Sequence, residues 1–245
     1  MFTPEERERV RARVLERARA DDRISAAALL GSAVTGTEDR WSDIDLTFGV
    51  DGDLDAVLAD WTDWAERDLG SLHHLDIRVR STVYRVFLLP GCLELDLSFT
   101  PAAEFGARGP NWRTVFGETV DVPHAEPPDP GDLIGMGWLS VLDANLAIQR
   151  GRRWQAEFFV SYVRDQALAL ACVRLGENAT YARGIDRLPR EVAEPFEDAL
   201  VRSLEIGELR RALGAATRGF LGEVRLADRM LAERLGPPLL EVAGG

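Results

Sequence analysis

The chain has 245 residues, 46% of them hydrophobic, enough for one large core or two modest ones. Its formal charge is −12, and all 29 basic residues are arginine because lysine is absent. Polyanion binding needs a basic face, so no nucleic-acid partner is expected. An acidic surplus attracts metals and cationic small molecules instead. The same arginine bias also fits a GC-rich coding background.

No run approaches the ~18–20 apolar residues of a membrane span, so no membrane partner is expected. Met1-Phe2-Thr3-Pro4-Glu5-Glu6 is acidic at once, unlike a secretory signal, and the expectation is a cytoplasmic protein. Cys92 and Cys172 lie far apart without metal or redox spacing and read as reduced core thiols. His73, His74 and His124 form no zinc pattern.

In chain order, residues 4–20 read as an amphipathic helix. Thr3 is its cap, Pro4 suits its first turn, and Val10, Val14 and Ala18 line its apolar face. Arg7, Arg9, Arg11 and Arg13 are expected on a solvated face. Ile24 to Leu30 is a short apolar run ending in Gly31, which favours a buried strand. Ser32 to Ser42 is a loop, or a short helix plus a loop. Residues 43–50 alternate with period two and predict a strand, and 54–69 predict a helix. Strands follow near 74–80, 82–89 and 92–99, the last two joined at Pro90-Gly91. Such short turns join antiparallel neighbours, so the sheet is mixed.

Pro123, Pro127, Pro128 and Pro130 mark residues 123–130 as a stiff connector. Beyond it helices are expected near 131–149, 152–176, 190–204 and 207–235, with Pro237 as punctuation. The fold class is therefore α/β plus all-α. A mixed-sheet domain over 1–122 precedes a helical bundle over 131–245.

Chemistry concentrates at Gly31-Ser32 and Asp43-Ile44-Asp45. A strand ending in glycine lets backbone amides approach a phosphate, and the Ser32 hydroxyl can donate to one. Strand residues two apart share a face, so Asp43 and Asp45 project together. Their repulsion is relieved by a divalent cation such as magnesium, which favours carboxylates and substrate phosphates. The strand 92–99 puts Glu94, Asp96 and Ser98 on one face; Asp96 is the favoured third acid and Glu94 the fallback. Arg40, just before Asp43, is a candidate phosphate contact, with a plain surface arginine as the alternative. In the helical half, Glu157, Ser161, Arg164 and Asp165 fall near one face. They are either structural ion pairs or the lining of an acceptor pocket. Tyr181 is a candidate to stack on a flat base. Trp61 and Trp64 are expected in the core.

This pattern of Gly-Ser, a spacer, Asp-x-Asp and a later Asp on a separate strand resembles the nucleotidyltransferase superfamily with the polymerase-beta-like palm. Within it, the chain looks most like the antibiotic nucleotidyltransferases acting on aminoglycosides or lincosamides. The motifs cover residues 29–99; the helical half matches in architecture and size. The resemblance implies that Gly31 and Ser32 hold a triphosphate and that Asp43 and Asp45 coordinate magnesium, with two ions expected. Asp96 would complete the metal site or act as general base. ATP would be the co-substrate, with AMP transferred to a small acceptor and pyrophosphate released. The chain would act as a monomer or homodimer. Two other readings stand beside it: a toxin–antitoxin-type nucleotidyltransferase modifying protein or RNA, and a non-catalytic nucleotide-binding regulator of the same fold. The absence of histidine after His124 disfavours a helical RNase partner domain.

Overall fold

Helix α1 (Pro4–Ala20) begins on a reciprocal cap. The Thr3 hydroxyl accepts from the Glu6 amide, and the Glu6 carboxylate accepts from the Thr3 amide at 2.7 Å. The computed structural model describes residues 1–244 and divides into two compact units, Met1–Ala125 and the chain from Glu126 onward.

The first unit continues with β1 (Ile24–Leu30), α2 (Ser32–Thr35), β2 (Ile44–Val50) and α3 (Leu54–Trp64), which ends in a π-helical turn. Then come β3 (His73–Val79), β4 (Thr82–Leu89), β5 (Leu93–Pro101) and β6 (Trp112–Phe116). The six strands lie in the order β3-β4-β5-β2-β1-β6. All neighbours are antiparallel except β2 and β5. The sheet is therefore mixed, as the short turns predicted.

Alternation assigns the two faces. Ile44, Leu46 and Phe48 of β2 and Leu95, Leu97 and Phe99 of β5 point to the helical side, where Val14, Ala18, Leu58 and Trp61 close the core. Each of these large apolar side chains is worth about 1.5–3 kcal/mol on burial. Trp61 meets Phe48 at a tilt and Phe99 edge-on, and donates its indole N–H to Asp21 at 3.1 Å. On the same side, buried Arg85 makes a two-pronged pair with Asp76 at 2.6 and 2.7 Å and donates to the Leu58 carbonyl, tying β3 and β4 to α3. The Arg85 guanidinium holds the Asp76 carboxyl below the usual carboxylate range.

Three expectations in this unit need correction. Arg7 and Arg11 are not solvated but buried, because Glu38 and backbone carbonyls receive them. Cys92 is exposed at positive φ in the turn before β5, so only Cys172 is a core thiol. Strand β6 was not predicted; it is short and borders β1, where pairing rather than pattern creates it.

The second unit holds α4 (Pro130–Gln149), α5 (Arg153–Leu175), the single turn α6 (Arg190–Ala193), α7 (Ile206–Ala227) and α8 (Arg229–Gly244). Pro130 is the first residue of α4, and Asp129 caps it. The core is built from small residues that bring helices close, including Ala144, Ala167 and Ala171, and from Phe220. The helix expected over 190–204 is one turn followed by a 3-10 segment to Ala199. The helix expected over 207–235 is two helices, broken at Asp228, whose carboxylate accepts from the Leu231 amide at 2.9 Å. Pro237 does not stop α8, which runs through Pro237 and Pro238. Among the described residues no helix is long and apolar enough to cross a membrane.

Candidate active site

The face of the sheet opposite the helices carries the acids. Asp45 on β2 and Asp96 on β5 are register partners on parallel neighbours. Adjacent strands lie about 4.8 Å apart, so the two carboxylates leave the same face side by side. Both are partly buried. Asp43 lies one residue ahead of β2, and Glu94 stands on the Asp96 face two residues earlier, exposed. Among the described residues, no group of three or more His, Cys, Asp or Glu side chains could hold a metal ion by itself.

Gly31 packs against Asp45 of this pair. It follows β1 with φ 60 and ψ −141, a backbone conformation that side chains resist. A Cβ built there would collide with the Asp45 carboxylate. Glycine therefore serves twice: it permits the turn, and it leaves the Asp45 carboxylate its place. Ser32 follows as the first residue of α2. The structure thus brings Gly31, Asp45 and Asp96 together, with Ser32 adjoining.

The loop that delivers Asp43 is held from outside. Arg7 Nη1 donates to the carbonyls of Asp39 at 2.6 Å and Ser42 at 3.0 Å. Arg11 pairs with Glu38 of the same loop and with Glu8 at 2.7 Å. Within the loop, Asp39 accepts from the Trp41 amide at 2.8 Å and from the Ser42 hydroxyl at 3.1 Å. The Trp41 amide is the main cause that holds the Asp39 carboxyl below the usual carboxylate range, with Ser42 adding to it. Sequence reading missed Arg7 and Arg11 because charged helix positions look solvated. The available signal was the adjacent acids Glu38 and Asp39, which outnumber the single arginine of the loop. Arg40 is exposed, with its guanidinium 4.2 Å from the centre of the Trp41 ring.

The remaining candidates belong to the second unit. Glu157 accepts from Ser161 at 2.9 Å, and Asp165 accepts from Arg164 at 2.7 and 2.9 Å. Leu168 and Cys172, further along α5, are buried. Tyr181 is 84% exposed in a 3-10 turn at φ 53.

No protein-family model matches the sequence, and no curated protein matches it. Among solved structures, the chain is similar to the crystal structure of an aminoglycoside 6-adenyltransferase from Bacillus subtilis. The identity is 13% and the TM-score 0.41, over 95% of this chain and 96% of that one.

Proposed function

We propose that this chain transfers a nucleoside monophosphate, AMP from ATP, to a hydroxyl of a small molecule such as an aminoglycoside or a lincosamide, releasing pyrophosphate. The observation that carries this reading is the in-register pair of Asp45 and Asp96 beside a glycine that leaves room for the carboxylate.

Two neighbouring carboxylates form a hard-oxygen donor set too small to cage a metal alone. That suits magnesium, which is usually bound by one or two carboxylates and completed by substrate phosphates. Asp45 and Asp96 would hold it, with the rest of the coordination supplied by the substrate. When bound, the ion supplies charge stabilisation to the transferring phosphoryl group and its leaving oxygen. The chain's own residues do the rest. Gly31 lets the triphosphate approach the backbone, Ser32 donates to a phosphate oxygen, and Arg40 offers a cation at the loop surface. Asp96 accepts the proton of the acceptor hydroxyl as its oxygen bonds to the α-phosphorus. The bond from that phosphorus to the bridging oxygen breaks, and pyrophosphate leaves.

Pyrophosphate release from ATP–magnesium, measured against a panel of aminoglycosides and lincosamides, tests the reading. Release should depend on an acceptor and on Asp45. A protein that binds ATP yet turns over with no acceptor in the panel would end the small-molecule assignment.

A further inference from the structure

Strand β3 ends the sheet on one side, with β4 as its neighbour. The two pair without a register shift from His73↔Leu88 to Val79↔Thr82. Successive residues of an antiparallel strand turn their N–H and C=O to opposite sides. The tight turn closes at Val79↔Thr82, so the odd-numbered residues of β3 bond β4. The backbone groups of His74, Asp76 and Arg78 therefore face outward along the edge of the sheet.

This edge is also apolar. Leu75, Ile77 and Val79 share one face and are 58, 47 and 51% exposed. Leu75 lies opposite Val86, and Val86 opposite Asp96, so theirs is the open face of the sheet. The other face of β3 carries Asp76 and Arg78, and each already has an opposite charge within the chain. Asp76 holds Arg85, and Arg78 reaches Asp55 at 3.2 Å. Edge strands are ordinarily protected by shortness, bulges, proline or charge. The opposite edge, β6, has five residues and shifts register against β1. β3 has seven residues, no proline and no shift, and its charges are neutralised.

The sequence of β3 is complementary to itself. Consider two copies of it, antiparallel, about a twofold axis through Ile77. Ile77 then meets its own copy, and Leu75 meets Val79 on either side. Asp76 meets Arg78 twice, and the outward backbone groups of the one bond those of the other. An axis through Asp76 would oppose two aspartates, and one through Arg78 two arginines. An axis through Leu75 would set Ile77 against His73 and Val79 against Ser71. Opposite charges across neighbouring strands stabilise and like charges destabilise, so the axis at Ile77 alone suits both faces.

We infer that this chain self-associates through β3, joining two six-stranded sheets edge to edge in a symmetric dimer. The axis stands normal to the sheet, so both Asp45–Asp96 pairs open on the same side of it. Nothing in this pairing depends on the transfer chemistry. Seven residues a side place the contact at the low end of interface sizes, which gives a reversible dimer dissociating in the micromolar range.

Sedimentation velocity on the full chain tests it. The wild type should pass from monomer to dimer as its concentration rises. Ile77→Lys sets like charges across the axis and should raise the dissociation constant about a hundredfold. Ile77→Glu should do the same, and an equimolar mixture of the two variants should recover a dimer, because the new charges are then opposite. Ile77 is half exposed, so both variants should keep the wild-type circular dichroism. Crosslinking reads the register in a Cys92→Ser background, which removes the exposed native thiol. Ile77→Cys should form an intermolecular disulfide under mild oxidation, since a non-hydrogen-bonded antiparallel pair brings Cα atoms to about 4.5 Å. Leu75→Cys should not, because its two copies stand about 13 Å apart along the strands. A monomer at every concentration up to about 0.5 mM overturns the pairing. So does a dimer indifferent to both charges at Ile77, a mixture that stays monomeric, or crosslinking of Leu75→Cys in place of Ile77→Cys.

Discussion

Arg7 donates to the Ser42 carbonyl at 3.0 Å, so a helix at the start of the chain fixes the residue just before Asp43. The guanidinium is also 3.6 Å from Glu38 and only 5% exposed. Arg7→Met keeps the stem and removes the charge. It leaves two loop carbonyls without their donor and weakens the partnership of Glu38. The expected cost is about 3 kcal/mol, as for other broken buried pairs. Urea denaturation measures it, and a raised KM for ATP would show that the loop has moved.

Asp45→Asn and Asp96→Asn separate stability from activity. Each keeps the size of the side chain and removes one of two like charges held side by side. Metal-dependent ATP binding and turnover should fall by about a hundredfold or more, since several kcal/mol of charge stabilisation are lost. Calorimetric titration of ATP with and without magnesium distinguishes this from unfolding. Turnover unchanged in the Asp45 variant would remove the assignment.

Gly31→Ala introduces a methyl group both at positive φ and against Asp45. Backbone strain alone costs about 1–3 kcal/mol. The carboxylate must also shift, so pyrophosphate release should fall further than the melting point suggests. A fully active Gly31→Ala protein would mean that the glycine is only a turn residue.

The pH dependence centres on Asp21. The Arg23 guanidinium, with help from the Trp61 indole, lowers the Asp21 carboxyl from 3.8 to about 2. A carboxyl depressed in the folded state stabilises it above the unfolded value and loses that contribution as pH falls through the folded one. Asp21 should therefore contribute about 2 kcal/mol at neutral pH, lost between about pH 4 and pH 2. Asp21→Asn should be destabilised at pH 7 and approach wild type near pH 2 by urea denaturation. An equal deficit at both would show that the carboxyl acts only through packing.

In the helical unit, Gly137 on α4 faces the Phe220 ring so closely that a Cβ would overlap it. Gly137→Ala gains helix propensity of about 1 kcal/mol but overpacks a fully buried ring, which costs about 1–3 kcal/mol. The net expected effect is a lower melting point by calorimetry. Phe220→Leu in the same chain should restore part of it.

Much of this was readable in advance. Period-two alternation identified β2 and β5 and put Glu94, Asp96 and Ser98 on one face of β5, because a strand leaves no other choice. Pairing was not readable: no local pattern states that residue 45 meets 96, or that Trp112 to Phe116 borders β1. The break at Asp228 was visible as a capping residue inside a periodic run, but continuous amphipathicity outweighed it. The burial of Arg7 was hidden because composition records a charge and not its partner.

The single parallel pairing has a kinetic consequence. Asp45 and Asp96 meet only after α3, β3 and β4 have been traversed, whereas β1–β2, β3–β4 and β4–β5 are neighbours in the chain. Closing long loops costs entropy that local hairpins avoid, so contacts of large sequence separation form slowly. A partly folded chain can own all three of these pairings and still lack the Asp45–Asp96 pair. During refolding, nucleotide affinity should accordingly lag behind the recovery of backbone circular dichroism.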